Sequence, residues 1–343
     1  MNPAPCSLSP HGKRVASDYV SPRWIVGAHA QTLWPFIRPR APVAWRRERI
    51  ATPDHDFWDF DWLDASAKDN TPNNAPLVIL FHGLEGSSRS HYACSMMAAV
   101  AQRGWRGVVP HFRGCSGEPN LKPRAYHSGD YSEIAAMLTA IRARVPEKTA
   151  LYAVGVSLGG SALLNWLGRN SNTTTLVAAA AVSTPIDLEQ SGRMFNKGFN
   201  RLYERNFMGT LKNKALMMAQ RYPDKVDSRK VAAVRTLTDF DDAVTAPLHG
   251  FKDVTDYRHR ASSRPWLSKI GTPTLVLNAL NDPLVPADSL PNEEETSSYV
   301  FLEYPDGGGH AGFPAVAGSA HAWMPQRVLT FFAECTDINV FPA

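Results

Sequence analysis

Leu151-Tyr152-Ala153-Val154-Gly155-Val156-Ser157-Leu158, followed at once by Gly159 and Gly160, is the stretch from which the fold is read. Its apolar start, Leu151–Val154, reads as a fully buried strand, and the segment after the glycines, SALLNWLGR, reads as a helix. A strand that reverses into a helix within a few residues forces its turn residue into a strained backbone conformation. Small residues two before and two after that point let the backbones pass closely. The spacing Gly155-x-Ser157-x-Gly159 therefore predicts a serine thrust out at the top of a sheet with its hydroxyl exposed. An ordinary glycine-rich turn is the bland alternative; the strand before and the helix after favour the sharper one.

Outward from this turn, strand and helix signals alternate. Leu77–Phe81 is a continuous apolar run, the mark of a parallel strand buried on both faces, and it ends in His82-Gly83-Leu84-Glu85-Gly86-Ser87-Ser88. A helix is predicted over 92–103, a strand over 105–112, a loop over 113–129 and a helix over 131–144. Beyond the elbow helix, LVAAAAVS at 176–183 is another buried strand. The alternation then stops from Pro185 to about Ser268, where Met194, Phe195, Met208 and Leu211 recur at helical spacings. Amphipathic helices packed on the body explain that stretch. So does a lid over the serine, since an insertion there would sit above the strand tops. Strands resume at 274–279 and 299–304, and a last helix covers about 325–334. This is an α/β chain with a mostly parallel central sheet flanked by helices.

The N-terminal side is less regular. Residues 1–20 read as a loosely ordered tail, and SPRWIVGAHAQTLWPFIRP (21–39) as a segment packed on the body. RRERIATPDHDFWDFDWL suggests a hairpin with its turn at Thr52–Asp56, which would leave Asp59 and Asp61 facing solvent on the second strand. The expected organisation is one domain from residue 21 to 343, with the lid as an insertion at about 185–268.

Of 343 residues, 44% are hydrophobic and 20% charged, a globular balance; the net charge of +4 is scattered rather than blocked, which argues against nucleic acid as a partner. The four cysteines show no metal-ligand or disulfide spacing, the first residues have no apolar signal-peptide core, and no run approaches membrane-spanning length. Those readings predict a soluble, cytoplasmic protein without metal. They say nothing of oligomeric state.

A serine hydroxyl is a poor nucleophile unless a histidine takes its proton and an acid fixes that histidine's tautomer. When such a serine sits on a strand-to-helix turn, the acid and then the histidine follow in sequence, each on a loop leaving a strand. Only His249, His259, His310 and His321 follow Ser157. His310 alone stands in a glycine-rich turn just past a strand; His321 precedes the last helix, and the other two lie in the lid. For the acid, Asp282 follows a buried strand in a loop stiffened by Pro283 and Pro286, with Asp288 as its nearest rival and Asp306 too close to the histidine's own turn. The developing oxyanion needs preorganised donors, and the backbone N–H groups of Leu158 and Leu84 are the expected pair. Arg113 and Arg124 read as loop anchors ahead of anion binders, and Cys115 has no base beside it.

FHGLEGSSRSHY, GWRGVVPHFRGCSGEPN, PRAYHSGD and AVGVSLGG together resemble the YheT-like branch of the α/β-hydrolase superfamily, a set of predicted hydrolases and serine esterases. HAQTLWP, LNALNDPLVP and GGGHAGF extend the resemblance from about Ser21 to the last helix. It implies the α/β-hydrolase fold, a charge relay of Ser157, Asp282 and His310, and activity on small-molecule acyl esters, lipid-like ones included, with no cofactor. Asn281 stands where relatives often carry a second acid. Two other functions stay open at this point: an acyltransferase passing the acyl group to an alcohol, and a non-catalytic binding protein on the same fold. A dehalogenase of this fold would need an aspartate where Ser157 stands.

Overall fold

The computed structural model describes residues 10–63, 74–315 and 322–337. Within them nine strands form one sheet: β1 (Lys13–Arg14), β2 (Trp45–Ala51), β3 (Phe57–Leu63), β4 (Leu77–Phe81), β5 (Arg106–Pro110), β6 (Leu151–Val156), β7 (Ala178–Val182), β8 (Thr274–Leu277) and β9 (Val300–Glu303). Their order across the sheet is β1-β9-β8-β7-β6-β4-β5-β3-β2. Every pair from β1 to β5 in that order is parallel, while β2 and β3 form an antiparallel hairpin whose β3 pairs antiparallel with β5.

The continuous apolar runs follow from burial on both faces. Along β4, Leu77, Ile79 and Phe81 join the apolar cluster on one face, and Val78 and Leu80 join that on the other. The first face is covered by α3 (Tyr131–Arg142) and α4 (Leu158–Arg169), which bring in Ile134, Met137, Leu163 and Leu167. The second is covered by α2 (His91–Gln102) and the last helix (Trp323–Asp337), through Met96, Met97, Val328 and Phe332. A further helix, α1 (Ala28–Ile37), packs over the end of the sheet near the turn after β9.

Between β7 and β8 lies a helical insertion: α5 (Leu188–Phe195), α6 (Asn200–Arg221), α7 (Ser228–Ala233), α8 (Leu237–Phe240), a π turn (Asp241–Thr245), α9 (Ala246–Leu248) and α10 (Val254–Ala261). Met208, Leu211, Val231, Phe240 and Val244 give it a small apolar core of its own, against which Leu84 of the sheet body also packs. Core packing and the covering of the site are therefore served by the same residues.

Two expectations are corrected. Residues 10–20 do not dangle. Lys13 and Arg14 pair with Phe301 and Leu302 as the sheet's edge strand, and Ser17 donates to Glu303 at 2.7 Å. Residues 1–9 of the expected tail lie outside the described residues.

Asp59 and Asp61 do not face solvent either; both side chains are buried. Residues of the loops after β4 and β5 cover the polar face of β3, with Ser88 and His111 against Asp61 and Ser116 against Asp59. Arg47 grips Asp61 with two hydrogen bonds of 2.7 and 2.8 Å, and Arg49 grips Asp59 with two of 2.8 Å. Ser88 also donates to Asp61, at 2.5 Å. Burial alone would raise the Asp61 carboxyl, but Arg47, Ser88 and His111 outweigh it and hold it below the usual carboxylate range. That contribution to stability is present above a pH of about 4 and is lost as pH falls through the depressed folded value. Asp61→Ala should lower the unfolding free energy by about 2 kcal/mol, since it strips the buried Ser88 hydroxyl of its acceptor and Arg47 of its carboxylate, though Arg47 keeps partial access to water. Glu118→Ala, which removes the exposed partner of Arg49, should leave the urea midpoint nearly unmoved. Equal midpoints for the two variants would refute this ranking.

Candidate active site

Ser157 sits between β6 and α4 with φ 54 and ψ −120, a left-handed backbone conformation that a side-chain-bearing residue rarely adopts. The flanking glycines are sterically required. A Cβ on Gly155 would come within 2.6 Å of the Gly159 carbonyl oxygen, and one on Gly159 within 2.4 Å of the Phe81 carbonyl oxygen. Ser157 N–H donates to Val182 at 2.9 Å, which holds the turn to the neighbouring strand top.

His310 Nε2 lies 3.0 Å from Ser157 Oγ, and His310 Nδ1 lies 2.8 Å from Asp282 Oδ2. Asp282 is buried and accepts the N–H groups of Leu284 and Val285 at 2.8 and 3.1 Å, so its carboxylate is fixed before it meets the imidazole. The three sequence-predicted residues are thus brought into one hydrogen-bonded line. Their rivals are not: Asp288 and Asp306 are exposed, His259 is exposed on α10, and His249 packs against His127 at 4.3 Å. His321 lies outside the described residues.

Leu158, first residue of α4, carries an N–H that has no acceptor within its helix. In the turn after β4, Gly83 N–H donates to Tyr92, Glu85 N–H to Tyr126 and Gly86 N–H to Gly83, which leaves the Leu84 N–H as the turn's free donor among the described residues. Glu85 itself has φ 54 and is held by a hydrogen bond from Tyr126 to Oε1 and by Lys214 of α6, each at 2.8 Å. The insertion is therefore bolted to the residue next to Leu84. Cys115 lies 3.8 Å from Lys214, yet burial pushes its thiol up to about 11, so it is a poor nucleophile. Behind the turn, burial drives the His82 imidazole down to about 3, and the neutral ring accepts the Phe112 N–H at 3.1 Å through Nε2.

Arg113 and Arg124 act as loop anchors. Arg113 binds Glu133 at 2.7 Å and Asp56 at 3.0 Å, and Arg124 binds Asp130 at 2.7 Å.

Of four supporting residues, Gln31, Thr32 and Ser183 were not singled out in the sequence, and Asn281 was noted there without a role. The turn carrying His310 is held by Thr32, which accepts the His310 N–H at 2.9 Å, and by Gln31, which accepts the Gly308 N–H at 2.7 Å. Asn281 accepts the Gly309 N–H at 3.0 Å and donates to Gln31 at 2.9 Å. Ser183 accepts the Ala311 N–H at 2.9 Å. Gln31 and Thr32 belong to HAQTLWP, so the signal was present in the sequence; what was missing was the knowledge that this segment abuts a turn nearly 280 residues away.

A cavity of about 170 Å³ lies between Ser157 and the insertion, with Leu84, Leu188, Phe195, Leu211, Met218 and Phe240 among its walls. Asp241, in the π turn, lines it as well.

A family model described as the alpha/beta hydrolase fold matches residues 76–314. This chain belongs to the α/β-hydrolase family. It falls in the YheT-like branch: a protein of Escherichia coli (strain K12) named "Putative esterase YheT" is 34% identical over 319 residues, covering 91% of this chain and 92% of its own. The Homo sapiens protein "Phospholipase ABHD3" is 31% identical over 314 residues, 89% of this chain and 76% of its own. Among solved structures, the Pyrococcus furiosus esterase Pf2001 superposes with a TM-score of 0.53 at 15% identity, over 94% of this chain and 98% of its own, a likeness of fold. With these relatives the α/β-hydrolase described here is a hydrolase.

Asp241 makes the cavity wall sensitive to pH. Burial raises its carboxyl to about 6, and the charge of Arg258 and the Thr245 hydroxyl offset only part of that. A raised acid holds its proton in the folded chain where the unfolded chain has lost it, so stability falls as pH rises from about 4 to about 6. Asp241→Asn should therefore raise the melting temperature above pH 6 and converge with wild type below pH 4. A constant difference across that range would sink the assignment.

Proposed function

We propose that this α/β-hydrolase is a carboxylic ester hydrolase working through an acyl-enzyme on Ser157. The observation that carries the reading is the unbroken Ser157–His310–Asp282 hydrogen-bonded line, whose serine opens on the cavity. His310 accepts the serine proton at Nε2 as Oγ attacks the ester carbonyl, and Asp282 accepts the Nδ1–H and stabilises the imidazolium that forms. The Leu84 and Leu158 N–H groups receive the oxyanion; being backbone donors already held in place, they need little reorganisation when charge develops. His310 then hands its proton to the leaving alcohol, and water activated by the same nitrogen releases the acid. The chemistry uses no cofactor.

The apolar walls contributed by Leu188, Phe195, Leu211 and Phe240 suit an acyl chain, and the esterase and phospholipase names of the relatives support acyl esters as the substrate class. No helix among the described residues is long and apolar enough to cross a membrane. Cys94, Cys115 and Cys335 are free thiols, which supports a cytoplasmic setting.

Wild type should label with a fluorophosphonate and turn over p-nitrophenyl esters, with an optimum acyl length that sizes the cavity, while Ser157→Ala does neither. Asp282→Asn should keep the fold and lose about a thousandfold or more in kcat, because the imidazole takes the wrong tautomer. An added alcohol that diverts product from acid to new ester would move the reading to an acyltransferase. A folded wild type that neither labels nor turns over would overturn it.

A further inference from the structure

Helix α1 is amphipathic the wrong way round. Its polar residues Gln31 and Thr32 are buried against the His310 turn, while Leu33, Phe36 and Ile37 face solvent, Phe36 at 59% exposure and Ile37 at 73%. The approach to the helix continues the pattern with exposed Val20, Trp24 and Val26. Six of the eleven large apolar side chains exposed among the described residues thus fall between Val20 and Ile37, too concentrated to be scattered surface residues. Two more, Phe199 and Leu202 at the start of α6, adjoin them: the Phe199 ring lies tilted 4.7 Å from that of His29 of α1.

The charge on this face has one sign. Arg23, Arg38 and Arg40 are exposed, and no Asp or Glu occurs from residue 19 to residue 47. Trp34 meets Trp24 edge-to-face at 4.6 Å and lies under the Arg38 guanidinium at 5.5 Å. Tryptophan, phenylalanine and isoleucine beside arginine, with no acid, match the layering of a lipid interface, where rings and aliphatic chains enter the headgroup–acyl boundary and guanidinium groups meet phosphate. The inward face of α1 is explained by the His310 turn it holds. On the outward face, Phe36 meets His91 edge-on at 4.7 Å yet stays 59% exposed, and Ile37 stays 73% exposed.

We propose that Val20–Ile37, with Arg38, Arg40 and the start of α6, docks this protein peripherally onto an anionic phospholipid surface. The docking face is built from side chains separate from Ser157, Asp282, His310 and the cavity walls, so it stands or falls independently of the ester reading. It places α1, and through Thr32 and Gln31 the His310 turn, directly beneath the lipid.

The test is co-sedimentation with vesicles of phosphatidylcholine alone and of equal parts phosphatidylcholine and phosphatidylglycerol, with a short water-soluble p-nitrophenyl ester assayed in parallel. Wild type should bind the anionic vesicles, weakly or not at all the neutral ones, and less as salt rises. Phe36→Ser with Ile37→Ser should lower the partition coefficient by tenfold or more. Arg38→Gln and Arg40→Gln should each lower it by about fivefold on the anionic vesicles. All three variants should keep the wild-type melting temperature and rate on the soluble ester. Ser157→Ala should bind vesicles as wild type does, so that failed docking and failed catalysis are told apart. Wild type that stays in the supernatant when anionic vesicles are pelleted would overturn the proposal, as would binding that the four substitutions do not change. So would a concentration-dependent dimer, in the absence of lipid, that Phe36→Ser with Ile37→Ser abolishes, since the face would then belong to a second copy.

Discussion

The left-handed backbone at Ser157 is the constraint on which the upper end of the molecule depends. It is tolerated because its neighbours carry no side chain to clash: Gly159 lies against the Phe81 and His82 carbonyls, and Gly155 against the start of α4. That close approach is possible only if β4 lies beside β6, as it does. One strained residue therefore links the serine, the turn that follows β4 and the first amide of α4. Leu84, Leu158 and Ser157 line the same cavity for this reason, and not because either leucine was chosen for its side chain.

Around that point the structure is held by contacts between distant segments. His310 receives support from α1, from Ser183 at the end of β7 and from Asn281 beside the acid loop. Each tie is a modest hydrogen bond, but together they leave the turn few alternative positions, and a positioned imidazole is what the proposed proton transfer needs. Glu85 carries the other half: a left-handed residue beside Leu84, gripped by Tyr126 of the body and Lys214 of the insertion. The insertion thereby roofs the cavity and also helps set the turn beneath it.

The same economy explains the polarity of α1. A helix that must satisfy a glycine turn with side-chain oxygens turns its glutamine and threonine inward, and its leucine, phenylalanine and isoleucine are left outside. The hairpin strand β3 is the mirror case, with aspartates inward because arginines from β2 meet them there. In both, burial was decided by a partner far away in sequence, and an apolar-in, polar-out reading of the local pattern gives the wrong face.

By itself the sequence determined the strand–turn–helix at Ser157, the buried parallel strands and their crossover helices and the place of the insertion, and it named Asp282 and His310 as the side chains that would meet Ser157. All of these rest on local signals: apolar runs, glycine spacing, and the order of residues on loops leaving strands. Only the tertiary structure decided that Lys13 and Arg14 close the sheet edge, that Asp59 and Asp61 are buried ion-paired groups, that Asn281 and two residues of α1 hold the histidine turn, and that α1 turns its apolar face to solvent. Those outcomes depend on which segments meet across hundreds of residues. A hydrogen bond or an ion pair leaves no periodicity in either of the segments it joins.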